Sequence, residues 1–343
     1  MTTLAFELPA RLEAERPPEA RDDVRLLVSD RSNGSVVHSR FRELASFLAP
    51  GDLIVVNTSA TLPAALDAER TDGTALELRL STPARGLDAQ HWIIELRSGD
   101  APFTDAEVGE EVRLPAGATA SILAPYAAPR LWLAELGLPE PLEDYLAAHG
   151  RPIRYRYVSR DWPLSAYQNV YAVEPGSAEM PSAGRPFTHE MVTQLVAQGV
   201  LVAPITLHTG VSSQERHERP YAERYSVPEH TARLVNAVHG WGGRVIATGT
   251  TVVRALETVA QPDRTVASGE GWTNLVVTPE RGVWAMEGLL TGLHEPSSSH
   301  VDVLRAVAGD ELLADSYDAA LRNGYRWHEF GDSHLILGVR KSA

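Results

Sequence analysis

The stretch Arg244–Glu257, RVIATGTTVVRALE, decides how the rest of the chain is read. Val245, Ile246 and Ala247 make the short apolar run of a buried strand. Thr248-Gly249-Thr250-Thr251 is a turn of small residues, and a helix begins from Val252, with Arg254 and Glu257 on its polar side. A strand that passes into a helix through Gly and Thr leaves backbone N–H groups directed at open space. There the helix dipole and the hydroxyls favour an anionic ligand group. The same residues also suit a plain strand–helix junction with Thr as the cap. The surrounding sequence has to separate the two readings.

With 343 residues the chain can hold two domains and a substantial core. Its 43% hydrophobic and 22% charged content is that of a globular protein and excludes the disordered class. No apolar run reaches the roughly 18 residues of a membrane span. The N-terminal MTTLAFELPARLEAERPPEA has no basic region leading into an apolar segment, so no signal peptide is expected. The absence of cysteine excludes disulfides, thiolate metal sites and a cysteine nucleophile, and a cytoplasmic location follows by default. The net charge of −14 makes the chain as a whole a poor partner for nucleic acid. A local basic patch around Arg151, Arg154, Arg156 and Arg160, where RPIRYRY interleaves arginine with aromatics, suits either an RNA contact or a solvated strand edge.

Upstream, VRLLVSD reads as a strand, FRELASFLAPGD as a short helix closed by Pro50-Gly51, and GDLIVVN as a buried strand ending at Asn57-Thr58-Ser59. Polar groups at the C-terminal end of such a strand are well placed for a ligand, and are also ordinary turn formers. From about 66 to 150 the period changes. Leu76, Leu78 and Leu80 alternate with Glu77 and Arg79, and HWIIELRSGD, EEVRLPAG, TASILAPY and RLWLAEL follow at short intervals. This predicts a small antiparallel sheet or barrel inserted into an α/β main domain formed by residues 1–65 and 151–343. PLEDYLAAHG predicts a helix ended by Gly150. Beyond it HEMVTQLVAQG, PEHTARLVNAVHG and DELLADSYDAALRNGY read as helices, VLVAPITLH and TNLVVTP as strands, and LLTGLHEPSSSHVDVLRAVAG as a loop running into a helix. Residues 209–227 read as a polar, irregular lid or binding loop. The HERH-like cluster at 215–218 has no second coordinating set, so no metal is expected.

FELP at the start, GDLIVVN followed by LPAAL, then YQNVYA, PSAGRPFT, ITLHTG, RVIATGTTVVRALE, TGLHEPSSS and YRWHEFGDSHLIL occur in the order and spacing of one family. The chain resembles the S-adenosylmethionine:tRNA ribosyltransferase-isomerases (QueA) of queuosine biosynthesis over nearly its whole length. The resemblance implies an α/β main domain with an inserted β-barrel. It also implies S-adenosylmethionine (SAM) as ribosyl donor: a base takes a proton from the 5′ carbon beside the sulfonium, the ribose opens, and adenine and methionine leave. An epoxycyclopentane moiety then ends on the aminomethyl group of a 7-deazaguanine in tRNA. Departures from the family pattern fall at Thr58, Ala60 and Ala65, at Arg185 and Pro186 in place of Leu and His, and through the loop after His208. They leave the acceptor as either tRNA or a small-molecule amine.

Carried onto these motifs, the resemblance implies a base at His208 or His294, with Glu223 or Glu287 as alternatives. Tyr167 and Tyr171 of YQNVYA, with Gln168, would face the sulfonium. Pro181, Ser182, Ala183 and Gly184 would form a backbone wall for adenine or ribose. The SAM carboxylate would sit against Gly249, Thr250 and Thr251, with Arg254 assisting, and Asn57 and Thr206 would complete the pocket. SAM is then a substrate, no metal is involved, and a monomer is expected. A SAM lyase or hydrolase without acceptor, and an inactive SAM-binding protein, are the alternative readings.

Overall fold

The computed structural model describes residues 4–127, 129–212, 218 and 220–338. Its main sheet has nine strands in the order Gly269–Thr273, Glu223–Val227, Leu201–Leu207, Leu53–Asn57, Val245–Thr248, Gly288–Gly292, Ser333–Leu337, Arg25–Asp30, Ser35–Arg40. The four strands from Leu201–Leu207 to Gly288–Gly292 run parallel, so their C-terminal ends share one edge. Antiparallel neighbours bring the first residues of Glu223–Val227 and Ser333–Leu337 to that same edge.

Successive side chains of a strand face opposite sides, and the two cores follow that alternation. Leu53, Val55, Val245, Ala247 and Leu289 pack under the helices Glu229–Gly240, Thr250–Val259, His300–Ala308 and Asp310–Arg322. Ile54, Val56, Ile246 and Leu290 pack on the other face against the short 3-10 helix Phe41–Phe47 and the α-helix His189–Ala197. Thr188 caps that second helix by accepting from the Met191 N–H at 3.1 Å. With both faces covered, the central strands are apolar throughout, as LIVV and VIA are.

Strands Ala65–Glu69, Ala75–Pro83, His91–Ser98, Leu131–Gly137, Thr119–Tyr126 and Glu111–Arg113 close into an antiparallel barrel. Its interior is filled by alternate residues such as Leu76, Leu78, Leu80, Ile94 and Leu96. Tyr145 and Leu146, from the helix Leu142–His149, complete that core. The short parallel pair Ser59–Thr61 and Glu174–Ser177 lies just before the barrel begins.

Several sequence expectations change. The helix after the central strand starts at Thr250, and its cap is Gly249 at φ 92°, not a threonine. Glu257 is 2% exposed and accepts from Arg281, Trp284 N and Ala285 N, because the chain from 281 to 285 folds over that side of the helix. TNLVVTP contributes only Thr273 to a strand, whose partner-facing residues are Gly269–Thr273; GLLTG is a strand and not loop. Within the segment expected to be a lid, Glu223–Val227 is a sheet strand, while 213–217 and 219, with most of the HERH-like cluster, lie outside the described residues. No helix among the described residues is long and apolar enough to cross a membrane.

Candidate active site

The edge where the parallel strands end gathers most of the expected residues. Asn57 ends its strand there, and His208, Gly249 and the loop carrying His294 follow strand C-termini, the usual ligand position in an open α/β sheet. A Cβ built on Gly249 would come within 3.2 Å of the Ala183 Cβ, so the 181–184 wall packs directly on the turn. The first N–H groups of the helix that follows have no partner within the helix and point to this edge. Gly184 is pressed beneath the Tyr171 hydroxyl, where any side chain would collide. Thr206 Oγ1 lies 3.1 Å from Thr58 Oγ1.

His208 stacks over Gly176, and its Nδ1 lies 2.8 Å from Ser59 Oγ, itself 2.6 Å from Ser177 Oγ. Ser177 accepts from the Thr209 N–H at 3.0 Å. Every donor in this chain finds an acceptor when Ser177 donates to Ser59 and Ser59 donates to His208 Nδ1, which leaves the His208 proton on Nε2. Burial, aided by Arg224, lowers the His208 pKa to about 4, so the ring is neutral and offers an N–H donor. His294 Nε2 lies 3.0 Å from Thr291 Oγ1 and its Nδ1 3.2 Å from His300 Nδ1. Burial and the neighbouring rings of His300, His328 and His334 push its pKa well down.

Six of the expected residues are engaged within the protein. Asn57 is 1% exposed; its Oδ1 accepts from Leu207 N and Ser59 N, and its Nδ2 donates to Leu207 O and Thr251 Oγ1. It ties strand ends together and has no capacity left for a ligand. Gln168 exchanges two hydrogen bonds with the Thr61 backbone, one donated and one accepted. Arg254 ion-pairs with Glu223 and donates to the carbonyls of Leu275, Tyr221 and Thr273, so it is turned from the SAM carboxylate and Glu223 is no free base. The second oxygen of Glu223 accepts from Gly210 N. Glu287 lies at the opposite edge, bound to Val245 N and Arg264. Tyr167 is a core ring, packed 5.2 Å from Phe330.

A second group at the same edge was not singled out from the sequence. Tyr155, Tyr157 and His328 form a ring stack, with centroids 5.8 and 3.9 Å apart. Tyr155 donates to Glu179, and Tyr157 donates to Glu329 at 2.5 Å. In RYRY, Arg154 and Arg156 are exposed while Tyr155 and Tyr157 turn inward, which is the alternation that could have flagged them. Arg185, 3% exposed, lies face-on to Phe330 at 5.2 Å, and its Nε and Nη1 meet no acceptor among the described residues. Burial, with Arg21 nearby, lowers its pKa to about 10. Phe330 also lines a cavity of about 730 Å³ with Arg16, Arg160, Trp162 and Arg326.

A family model described as queuosine biosynthesis protein matches residues 1–336. The chain belongs to that family. Among curated relatives, an S-adenosylmethionine:tRNA ribosyltransferase-isomerase of Symbiobacterium thermophilum is 36% identical, over 97% of this chain and 98% of its own length. One of the same name from Moorella thermoacetica is also 36% identical, with the same coverage. The crystal structure of an S-adenosylmethionine tRNA ribosyltransferase from Thermotoga maritima superposes with a TM-score of 0.55 at 28% identity, covering 98% of this chain and 100% of that one. Barrel and mixed-sheet domain together are thus the fold of the queuosine biosynthesis family.

Proposed function

We propose that this enzyme uses SAM as a ribosyl donor and transfers and isomerises that moiety onto an amine. The observation that carries the reading is the convergence of the Gly249 turn, the 181–184 wall, His208 and the His294 loop on one sheet edge. The N–H groups of Thr250 and Thr251 suit the SAM carboxylate, and Ala183 with Gly184 provides a flat backbone surface for a ring. His208, presenting Nε2–H, is a hydrogen-bond donor to the ribose or to a leaving adenine nitrogen. The relatives carry tRNA in their names; for this chain the acceptor class is an amine, borne either by tRNA or by a small molecule.

The test is to incubate the protein with SAM in three arms: alone, with free 7-aminomethyl-7-deazaguanine, and with tRNA bearing that base. Adenine and methionine are followed by liquid chromatography. Adenine released together with methionine in any arm is the expected result, and the arm that is fastest names the acceptor. Methylthioadenosine in place of adenine would instead mean lyase chemistry. SAM that stays intact in all three arms would overturn the reading.

A further inference from the structure

We propose that Glu329 is the general base that removes the C5′ proton of SAM, with Tyr157 as its positioning residue. The assignment rests on the ribosyl-transfer reading above and adds to it the residue that starts the reaction. It comes from asking which basic atoms at the strand-end edge are still open. His208 offers a proton on Nε2, and both ring nitrogens of His294 have partners. Glu223 is bound on one oxygen by Gly210 and on the other by Arg254. Glu179 accepts from Tyr155 and Ser212 N on one oxygen and from Ser212 Oγ on the other. Glu329 alone among these carboxylates takes a hydrogen bond from just one other residue, Tyr157 on Oε2, its remaining contact being its own backbone N–H.

The surroundings of Glu329 suit the task. The ring stack of Tyr155, Tyr157 and His328 borders the site with apolar faces, and one hydroxyl fixes the carboxylate orientation. The titratable groups that face Glu329 are Tyr157, Tyr167, Glu179 and Arg185, with His328 beside it in its own segment. Burial raises its pKa to about 7; the Tyr157 hydrogen bond, its own backbone N–H and Arg185 oppose the rise, and the Glu179 charge adds to it. A base works best when its pKa lies near the working pH. His300, whose Nε2 is also open, is lowered to about 4 by burial and by Arg254, which makes it the weaker base. In the step itself the C5′–H bond breaks, an O–H bond forms on the Glu329 carboxylate, and the electron pair stays on C5′ beside the sulfonium. The proton passes to solvent when the carboxyl ionises again.

The experiment is exchange of the C5′ hydrogens of SAM in D2O, read by mass spectrometry, alongside adenine release and SAM affinity by calorimetry. The wild type should exchange, with a rate that rises with pH to a plateau and a midpoint near 7. Glu329→Gln should lose exchange and adenine release by about 10²–10⁴-fold while binding SAM. Tyr157→Phe removes a bond that favours the carboxylate, so the midpoint should move to higher pH; this profile decides the matter if Glu329→Gln fails to fold. Exchange by Glu329→Gln within about threefold of wild type, an unmoved Tyr157→Phe midpoint, or loss in His300→Gln alone would each overturn the assignment. A wild type that neither exchanges nor releases adenine in any arm would instead bring down the ribosyl-transfer reading, and this assignment with it.

Discussion

Asn57 sets a site that it does not line. Its amide holds the N–H of Leu207 and of Ser59 and the carbonyl of Leu207, so it fixes where two neighbouring strands end. Asn57→Leu keeps the volume and removes the partners of two buried N–H groups. We expect a loss of about 2–6 kcal/mol, since each orphaned group costs about 1–3 kcal/mol. A denaturant midpoint lowered at constant slope is the check, and an unchanged midpoint would mean that the strand ends hold themselves. Residue roles were the least legible part of the sequence. Motif positions pointed to Asn57, Gln168, Glu223 and Arg254 as polar, but spacing cannot say whether a donor or acceptor is already met inside the fold. Glu329 stayed hidden for the converse reason: its partner Tyr157 lies 172 residues away in sequence.

At the scale of elements, the turn from the Val245–Thr248 strand into the Thr250–Val259 helix depends on one glycine. Gly249 sits at φ 92°, where an L side chain is strained, and its missing Cβ lets Ala183 approach. Gly73, at φ 86°, has nothing within 4 Å of an added Cβ and serves as the control. Both Gly→Ala changes should cost about 1 kcal/mol for the backbone. Gly249→Ala should cost more, because Ala183 must also yield, and it should weaken SAM binding where Gly73→Ala does not. Equal losses would show that the contact with the wall is easily relaxed. Long periodic elements were legible for a physical reason: LIVVN, HEMVTQLVA and the alternating Leu76–Leu80 carry their burial pattern in their own residues. Gly269–Thr273, sequence GEGWT, carries none, since its pairing with Glu223–Val227 is imposed by backbone hydrogen bonds. The apolar TNLVVTP beside it looked the better strand and instead supplies a carbonyl, Leu275 O, to Arg254.

Across the whole molecule, the sheet edge concentrates imidazoles that burial keeps neutral. His208, His300 and His328 are lowered to about 4 and His334 to about 3, each first by desolvation, and His294 is lowered too. Between about pH 4 and the ordinary histidine value near 6.5, the unfolded chain therefore binds protons that the folded chain refuses. Stability should rise with pH across that window and fall on acidification, by about 1.4 kcal/mol per pH unit for each uncompensated proton. Glu329, raised to about 7, and Glu179, also raised by burial, act in the opposite sense, since their folded forms hold protons that the unfolded chain releases. Two such carboxyls offset only part of five histidines, so the net sign stands. We expect the melting temperature to fall by on the order of 5 °C or more from pH 7 to 5.5. Carboxylates with lowered pKa values titrate below that range and do not produce the fall. His334 is 0% exposed, with Nε2 2.8 Å from Ser29 Oγ, so its share escapes solvent screening. His334→Gln cannot ionise and should flatten the profile between pH 5.5 and 7, whereas a parallel profile would mean that His334 takes up its proton without loss of the fold.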